Sequence, residues 1–306
     1  VLPMRTKRRS SCFRVRSRER FKAAIDFDAP EDTKPPTIFP FKGSSIRMMN
    51  VLMLHGNGGG RTRFLPFLEA LQDKQVVPFR VHLPELPGFD GRLLPKAADG
   101  WMPFIEALQR SVAPLSEEPW VVYGHGIGGS LLLEWAARGW VLPDSADWHP
   151  QKVLLHGIIG ASLEHRFFPK LMKPLLIRKT MQALIAWPPM RPVWEKRLFL
   201  QPKSIPEAVR KQFFKDYAQC AAFPVFFDLI TPAWYREVQQ KLQHEAFNFI
   251  WGSRERVVAS KYLSLWQNDF PKATFDVVED WDHFPMLEDP DGFYEKLIAY
   301  ILHEQA

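Results

Sequence analysis

A tight glycine turn joins two apolar segments near the middle of the chain and restricts the fold strongly. Residues 119–133, PWVVYGHGIGGSLLL, have the pattern of a buried strand, a turn and an apolar helix. In the related pattern Gly-x-Ser-x-Gly, such a turn presents a nucleophilic serine, and small flanking residues let strand and helix approach each other. The middle position here is Gly126, which has no side chain that could attack a carbonyl.

Three further motifs surround this turn. Residues 51–60, VLMLHGNGGG, are similar to a strand followed by an oxyanion loop, and residues 246–255, AFNFIWGSRE, to a late strand that ends in an acid. Residues 281–290, WDHFPMLEDP, are similar to a loop that carries a histidine. Because the four motifs occur in the expected order, the chain resembles the α/β-hydrolase superfamily over roughly residues 48 to 304.

The resemblance implies both a fold and a set of site residues. The expected fold class is α/β, with a doubly wound, mostly parallel sheet and an inserted helical cap. Gly126 takes the nucleophile position, Glu255 the orienting acid and His283 the general base. The backbone N–H groups of Asn57 and Ile127 are the expected oxyanion donors, and they do not depend on a side chain.

Other residues offer alternatives to the acid role of Glu255. Arg254 and Arg256 flank this residue and could hold it in a surface ion pair instead. Asp228 and Asp282 would then be the remaining candidate carboxylates.

The remaining histidine and cysteine residues point to structural roles. His125 lies within the turn, His156 ends a predicted strand, and Cys220 is followed by two alanines and a phenylalanine. No spacing of histidines and cysteines indicates a metal site, and no phosphate-binding loop is present. We therefore expect neither a metal nor a cofactor.

Strand and helix patterns alternate along the chain, as a doubly wound sheet requires. The predicted strands are Val51–Leu54, Val76–Leu83, Trp120–Tyr123, Val153–Gly157, Phe247–Trp251 and Thr274–Val278. The predicted helices are Phe64–Gln72, Trp101–Val112, Gly129–Arg138, Ser260–Gln267 and Gly292–His303.

This pattern divides the chain into three parts. Residues 48–160 and 238–306 form the predicted core, and residues 161–237, where prolines interrupt helical segments, form the predicted cap after the sixth strand of the family's order. Residues 1–47 are predicted to be a disordered leader, or an artefact of an incorrectly assigned start. The cap is rich in aromatic residues, most of which we expect to pack within it, while some could line a pocket for a hydrophobic substrate.

Charge is concentrated in the leader. Residues 1–22 contain nine Lys or Arg residues against Glu19 alone, whereas the remaining chain has 31 basic and 33 acidic residues. A basic tail on a nearly neutral body does not indicate a nucleic-acid-binding domain, and no apolar segment is long enough to predict a membrane span. Two cysteines favour a cytoplasmic protein, although the leader could alternatively be an organelle-targeting segment. The sequence does not predict an oligomeric state.

Three functional hypotheses follow from the missing serine. In the first, His283 and Glu255 act on a hydrophobic ester or a related carbonyl compound, either directly or through a water molecule, with the backbone oxyanion donors. In the second, the chain is a catalytically inactive relative that binds a small apolar ligand or a protein partner. In the third, it is a serine hydrolase whose nucleophile has been substituted by Gly126. A pure binding protein does not need a base that faces an oxyanion hole, which favours the first or the third hypothesis, and of these we prefer the first.

Overall fold

A parallel sheet of six strands forms the centre of the computed structural model, which describes residues 49–74, 77–143, 145 and 148–302. The predicted leader lies outside these residues, and so do Val76 and His303. All described residues belong to one compact unit of the chain, residues 39–306. The strands are β1 Met49–Leu54, β2 Phe79–His82, β3 Trp120–His125, β4 Lys152–His156, β5 Asn248–Gly252 and β6 Thr274–Val278.

The sheet order is β2-β1-β3-β4-β5-β6, and all neighbouring pairs are parallel. The order reverses direction beside β1, so helices cover both faces, and the predicted doubly wound α/β fold is confirmed. β1 and β3 are buried along nearly their whole length, as expected for central strands of a parallel sheet. The carboxyl ends of β1, β3 and β5 lie at the same edge, which is where ligands bind in such sheets.

The helices connect these strands and cover the sheet. They are α1 Leu65–Gln72, α2 Met102–Val112, α3 Ile127–Ala137, α4 Phe167–Leu171, α5 Leu175–Ala186, α6 Arg191–Leu198, α7 Glu207–Gln219, α8 Phe226–Leu229, α9 Pro232–Leu242, α10 Leu263–Asp269, α11 Pro285–Glu288 and α12 Pro290–Leu302.

Helices α4 to α9 form an insertion between β4 and β5, which we call the helical insertion. The predicted cap, residues 161–237, spans α4 to α8 and the first part of α9, which continues to Leu242. Thr231 caps α9 by accepting a hydrogen bond from the Trp234 N–H, and the proline that follows it suits the first helical turn. The last helix of the insertion ends at Leu242, shortly before β5 begins at Asn248.

Candidate active site

The turn at Gly126 connects β3 to α3 in a conformation that only glycine adopts easily. Its φ of 55° and ψ of −121° lie outside the regions preferred by L-amino acids. A Cβ atom at this position would lie 3.4 Å from the Gly56 Cα and 3.9 Å from Nε2 of His283. The position therefore has room for a Cβ atom, and a hydroxyl attached there would reach the imidazole.

His283 and Glu255 are in direct contact although 28 residues separate them. Nδ1 of His283 lies 2.8 Å from Oε2 of Glu255, and because an ionised carboxylate can only accept, Nδ1 carries the proton. The other carboxylate oxygen accepts hydrogen bonds from the N–H groups of Val257 and Val258, at 2.7 and 2.9 Å. Both side chains are buried. This arrangement leaves Nε2 of His283 directed toward the turn, where it can act as a base.

Electrostatics at this pair favour an ionised Glu255. Burial alone would raise the pKa of the Glu255 carboxyl, but the charge and hydrogen bond of His283 and the Val258 N–H outweigh burial, so the pKa is lowered. Burial lowers the pKa of His156 to about 3, and the nearby His283 adds to this effect. Burial also lowers the pKa of His125 well below its usual value. Both of these neighbours are therefore neutral near pH 7.

The other charged candidates have different partners. Arg254 pairs with Asp280 at 3.2 Å, and the Arg256 Nε donates to Asp282 at 2.6 Å, so neither arginine pairs with Glu255. The alternative carboxylate Asp228 pairs with Arg178 in the helical insertion. Glu255 is thus the carboxylate that contacts His283.

Asn57 and Ile127, whose backbone N–H groups are the expected oxyanion donors, both line the cavity beside Gly126. Ile127 is the first residue of α3, where N–H groups have no acceptor within the helix. Asn57 follows the carboxyl end of β1. Its side chain is occupied, because Nδ2 donates to the Phe223 carbonyl at 3.1 Å and Oδ1 accepts from the Gly58 N–H at 2.9 Å. The Asn57 amide side chain therefore supports its loop, while both residues line the cavity beside Gly126.

His125 joins the turn to the histidine loop. Its Nε2 donates to the main-chain carbonyl of His283 at 2.8 Å, and both groups are buried. Nδ1 of His156 is hydrogen-bonded to the Tyr123 hydroxyl at 2.7 Å. The structure therefore gives both histidines packing and hydrogen-bonding roles that agree with the structural roles predicted for them.

A cavity of about 580 Å³ opens above Gly126. Its floor includes Gly56, Asn57, Gly126, Ile127 and His283, and its walls come largely from the helical insertion. Six of the aromatic residues of the insertion line it: Phe168, Trp194, Tyr217, Phe223, Phe226 and Phe227. The volume suits a small organic molecule, and the walls favour an apolar one.

Sequence reasoning did not identify Arg63 as a residue of this region. Its guanidinium is buried, lies 3.2 Å from the centre of the Phe213 ring and donates to the carbonyls of Gly58 and Phe213. It therefore fastens the loop after β1 to α7 of the helical insertion. Nothing in the local sequence distinguishes it from a surface arginine, because both of its acceptors are main-chain carbonyls.

Gly157 was not identified either. It follows β4 with a φ of 53°, and a Cβ atom there would lie 3.1 Å from both Oε2 of Glu255 and Nδ1 of His283. Glycine at this position leaves the space that the histidine and the carboxylate share. Only the sheet order, which places β4 beside β5, reveals this contact.

The described residues contain no group of His, Cys, Asp and Glu side chains that could hold a metal ion. Cys220 is buried, and burial raises the pKa of its thiol to about 12, so it is not an activated nucleophile. Within the described part of the chain, no helix is both long and apolar enough to cross a bilayer.

The sequence profile of the alpha/beta hydrolase family matches residues 51–296, and the chain belongs to this family. Comparison with curated proteins finds no significant match. The predicted family and fold are therefore confirmed.

Solved structures of the same fold are similar over most of the chain at low sequence identity. A carboxylesterase structure from Nitrososphaera gargenis is 17% identical with a TM-score of 0.60, covering 85% of this chain and 92% of that one. Bromoperoxidase from Bacillus anthracis is 15% identical with a TM-score of 0.62, covering 83% and 92%. MenH from S. aureus is 14% identical with a TM-score of 0.58, covering 86% and 96%. At these identities the similarity supports the fold alone.

Proposed function

We propose that the protein is an enzyme that acts on a small hydrophobic ester or related carbonyl compound without a serine nucleophile. The observation that carries this proposal is the pair of His283 and Glu255, 2.8 Å apart, with Nε2 of His283 directed at the turn. Gly126 excludes an acyl-enzyme at this position. The base must therefore act on a water molecule or on the substrate itself.

For an ester, the proposed reaction is direct hydrolysis. Nε2 of His283 accepts a proton from water while the water oxygen forms a bond to the carbonyl carbon. The carbonyl oxygen becomes an oxyanion that accepts hydrogen bonds from the N–H groups of Asn57 and Ile127. Collapse of this intermediate breaks the bond to the leaving alcohol, which takes the proton back from His283. Glu255 stabilises the transient imidazolium.

The cavity walls support the hydrophobic substrate class. Aliphatic and aromatic side chains make up most of the walls, and Asn57 and His283 lie at the floor. The charged side chains of Glu164, Arg166, Lys170 and Lys173 also line the cavity. Small-molecule sites typically combine apolar walls with a few polar groups that orient the reacting atom.

Turnover of a panel of activated esters tests this proposal. We expect the natural protein to hydrolyse these esters and His283→Ala to abolish the hydrolysis. Circular dichroism should show that the variant is still folded. His244→Ala is the matched control, since His244 is exposed and does not line the cavity, and it should leave turnover unchanged. An active His283→Ala variant would contradict the proposal.

The variant Gly126→Ser separates the alternatives. A Cβ atom at residue 126 would meet Gly56 at an ordinary contact distance. The variant therefore bears the strain of the positive φ without a steric clash, and we expect it to fold. In serine hydrolases the nucleophile contributes on the order of 10⁶ in turnover, against roughly 10³ to 10⁴ from binding and the oxyanion hole. If only Gly126→Ser is active, the natural chain is a serine hydrolase with a substituted nucleophile, or a protein that binds an apolar ligand or a partner.

A further inference from the structure

The outer surface of α4 and α5 is unusually apolar for a solvent-facing surface. We call it the α4–α5 face. Phe167 and Leu176 are 75% and 76% exposed. Of the twelve large exposed hydrophobic residues in the described part of the chain, seven belong to this face: Phe167, Phe168, Leu171, Leu175, Leu176, Leu184 and Trp187. Such clustering marks an interaction surface, because isolated exposed hydrophobic residues would be scattered.

The orientation of α5 is fixed by polar groups on its inner side. The buried Arg178 pairs with Asp228, and Gln182 donates to the carbonyls of Tyr217 and Cys220. These hydrogen bonds would be lost if the helix rotated to bury its leucines. Arg178, Gln182 and the buried Ile185 therefore hold one side of α5 against the protein. Leu175, Leu176 and Leu184 stay exposed on the other side, where an ordinary surface helix is polar.

The charge on the same segment has one sign. Residues 167–187 contain four basic side chains and no acidic ones. Lys170, Lys173 and Lys179 are exposed, and none of them forms an ion pair with the described residues. Exposed leucine, phenylalanine and tryptophan beside lysine are typical of helices that lie in the interface of an anionic bilayer.

We propose that the α4–α5 face docks on the surface of a membrane that contains anionic lipids. The helices lie in the plane of the interface, with leucine and phenylalanine side chains among the upper acyl chains and the lysines at the headgroups. Phe168, Lys170 and Lys173 also line the cavity above Gly126. Docking would therefore place the cavity beside the lipid phase, from which an apolar ligand could enter.

Tryptophan quenching tests this docking in the full chain. Trp187 is 53% exposed on the α4–α5 face, and residues 1–47 contain no tryptophan. Vesicles of equal parts phosphatidylcholine and brominated-chain phosphatidylglycerol should quench the fluorescence, and Trp187→Phe should remove most of this quenching. Binding through the basic leader alone would bring no tryptophan to the acyl chains. Quenching that persists in Trp187→Phe, or no quenching at all, would overturn the proposal.

Cosedimentation with unbrominated vesicles measures the partition coefficient. We expect the double variant Leu175→Ser and Leu176→Ser to lower it at least tenfold, while Leu93→Ser, which changes a leucine that is 90% exposed elsewhere, has no effect. Lys179→Glu should lower it about fivefold or more, since each lysine near an anionic surface contributes about 1 kcal/mol. The exposed Lys272→Glu is its control.

A second copy of the chain is the other occupant that this face could accept. Light scattering distinguishes the two cases. If the face is a dimer interface, the natural protein is a dimer, the serine double variant is a monomer, and vesicle partitioning is the same for both. That outcome would overturn membrane docking. Membrane docking would be supported if the natural protein and the serine double variant had the same molar mass and the double variant showed the tenfold loss of partitioning.

Discussion

The carboxylate of Glu255 is buried and makes three hydrogen bonds, to His283, Val257 and Val258. Replacement by glutamine removes the charge and places an N–H₂ group against one of these donors. We expect Glu255→Gln to lower the free energy of unfolding by about 1–3 kcal/mol at pH 7. Urea denaturation measures this difference, and Glu245→Gln, at an exposed position, is the matched control.

The stability difference between the natural protein and Glu255→Gln should depend on pH. Because the pKa of Glu255 is lower in the folded protein than its ordinary value of 4.5, its stabilisation is complete above about pH 4.5. It is lost as the pH falls through the folded-state pKa. The difference between the natural protein and Glu255→Gln should therefore shrink in denaturation curves measured below pH 4.5. A difference that grows with acid would contradict the lowered pKa.

The contact between Glu255 and His283 could be predicted because their motifs follow strands whose ends meet at one edge of the sheet. The contacts of Arg63 and Gly157 could not be predicted from the sequence. Arg63 donates to main-chain carbonyls, which any sequence supplies, and the importance of Gly157 depends on which strand lies beside β5. That Arg254 pairs with Asp280 instead of Glu255 likewise required the three-dimensional structure, because adjacent residues of a turn point in different directions.

The strand β3 and the helix α3 approach each other through glycine. A Cβ atom on Gly124 would lie 2.5 Å from the Gly129 Cα, a main-chain atom that cannot move aside. We expect Gly124→Ala to destabilise the protein by at least about 2 kcal/mol, seen as a lower melting temperature. Gly139→Ala is the control, since nothing lies within 4 Å of its Cβ position. It should cost only the roughly 1 kcal/mol of its left-handed conformation. Equal losses would contradict the close approach.

Element boundaries show where local pattern and tertiary packing disagree. The strand predicted over Thr274–Val278 is found with the same bounds, because its composition and flanking turns agree. The helix predicted from Gly129 begins instead at Ile127, since Gly128 and Gly129 are needed for close packing rather than for a turn. A Cβ atom on Gly128 would lie 2.7 Å from the Leu54 Cβ on β1, a contact that single-sequence patterns do not reveal.

The helical insertion is joined to the histidine loop through Glu288, the last residue of α11. Oε1 of Glu288 accepts a hydrogen bond from the Gln201 N–H at 2.5 Å, and the Ser204 hydroxyl donates to the Glu288 carbonyl at 3.1 Å. Burial raises the pKa of this carboxyl from 4.5 to about 7. We therefore expect the attachment of the insertion to α11 to depend on pH.

The folded protein binds a proton at Glu288 more tightly than the unfolded chain does, so its stability should fall as the pH rises from about 4.5 to about 7. Glu288→Gln cannot ionise and should be more stable than the natural protein at pH 8, by on the order of 1–2 kcal/mol once partial exposure is considered. At pH 4 the two should be nearly equal. Chemical denaturation at both pH values checks this expectation, and a natural protein that is more stable than the variant at pH 8 would contradict it.

The room for a Cβ atom at Gly126 has a consequence for the history of this chain. Glycine codons GGU and GGC differ from serine codons AGU and AGC by a single base. Where residue 126 is encoded by GGU or GGC, one point mutation would therefore place a serine beside His283, which already contacts Glu255. In a lineage with either glycine codon, mutation to serine would occur repeatedly. Persistence of glycine in close relatives would therefore indicate selection against the serine.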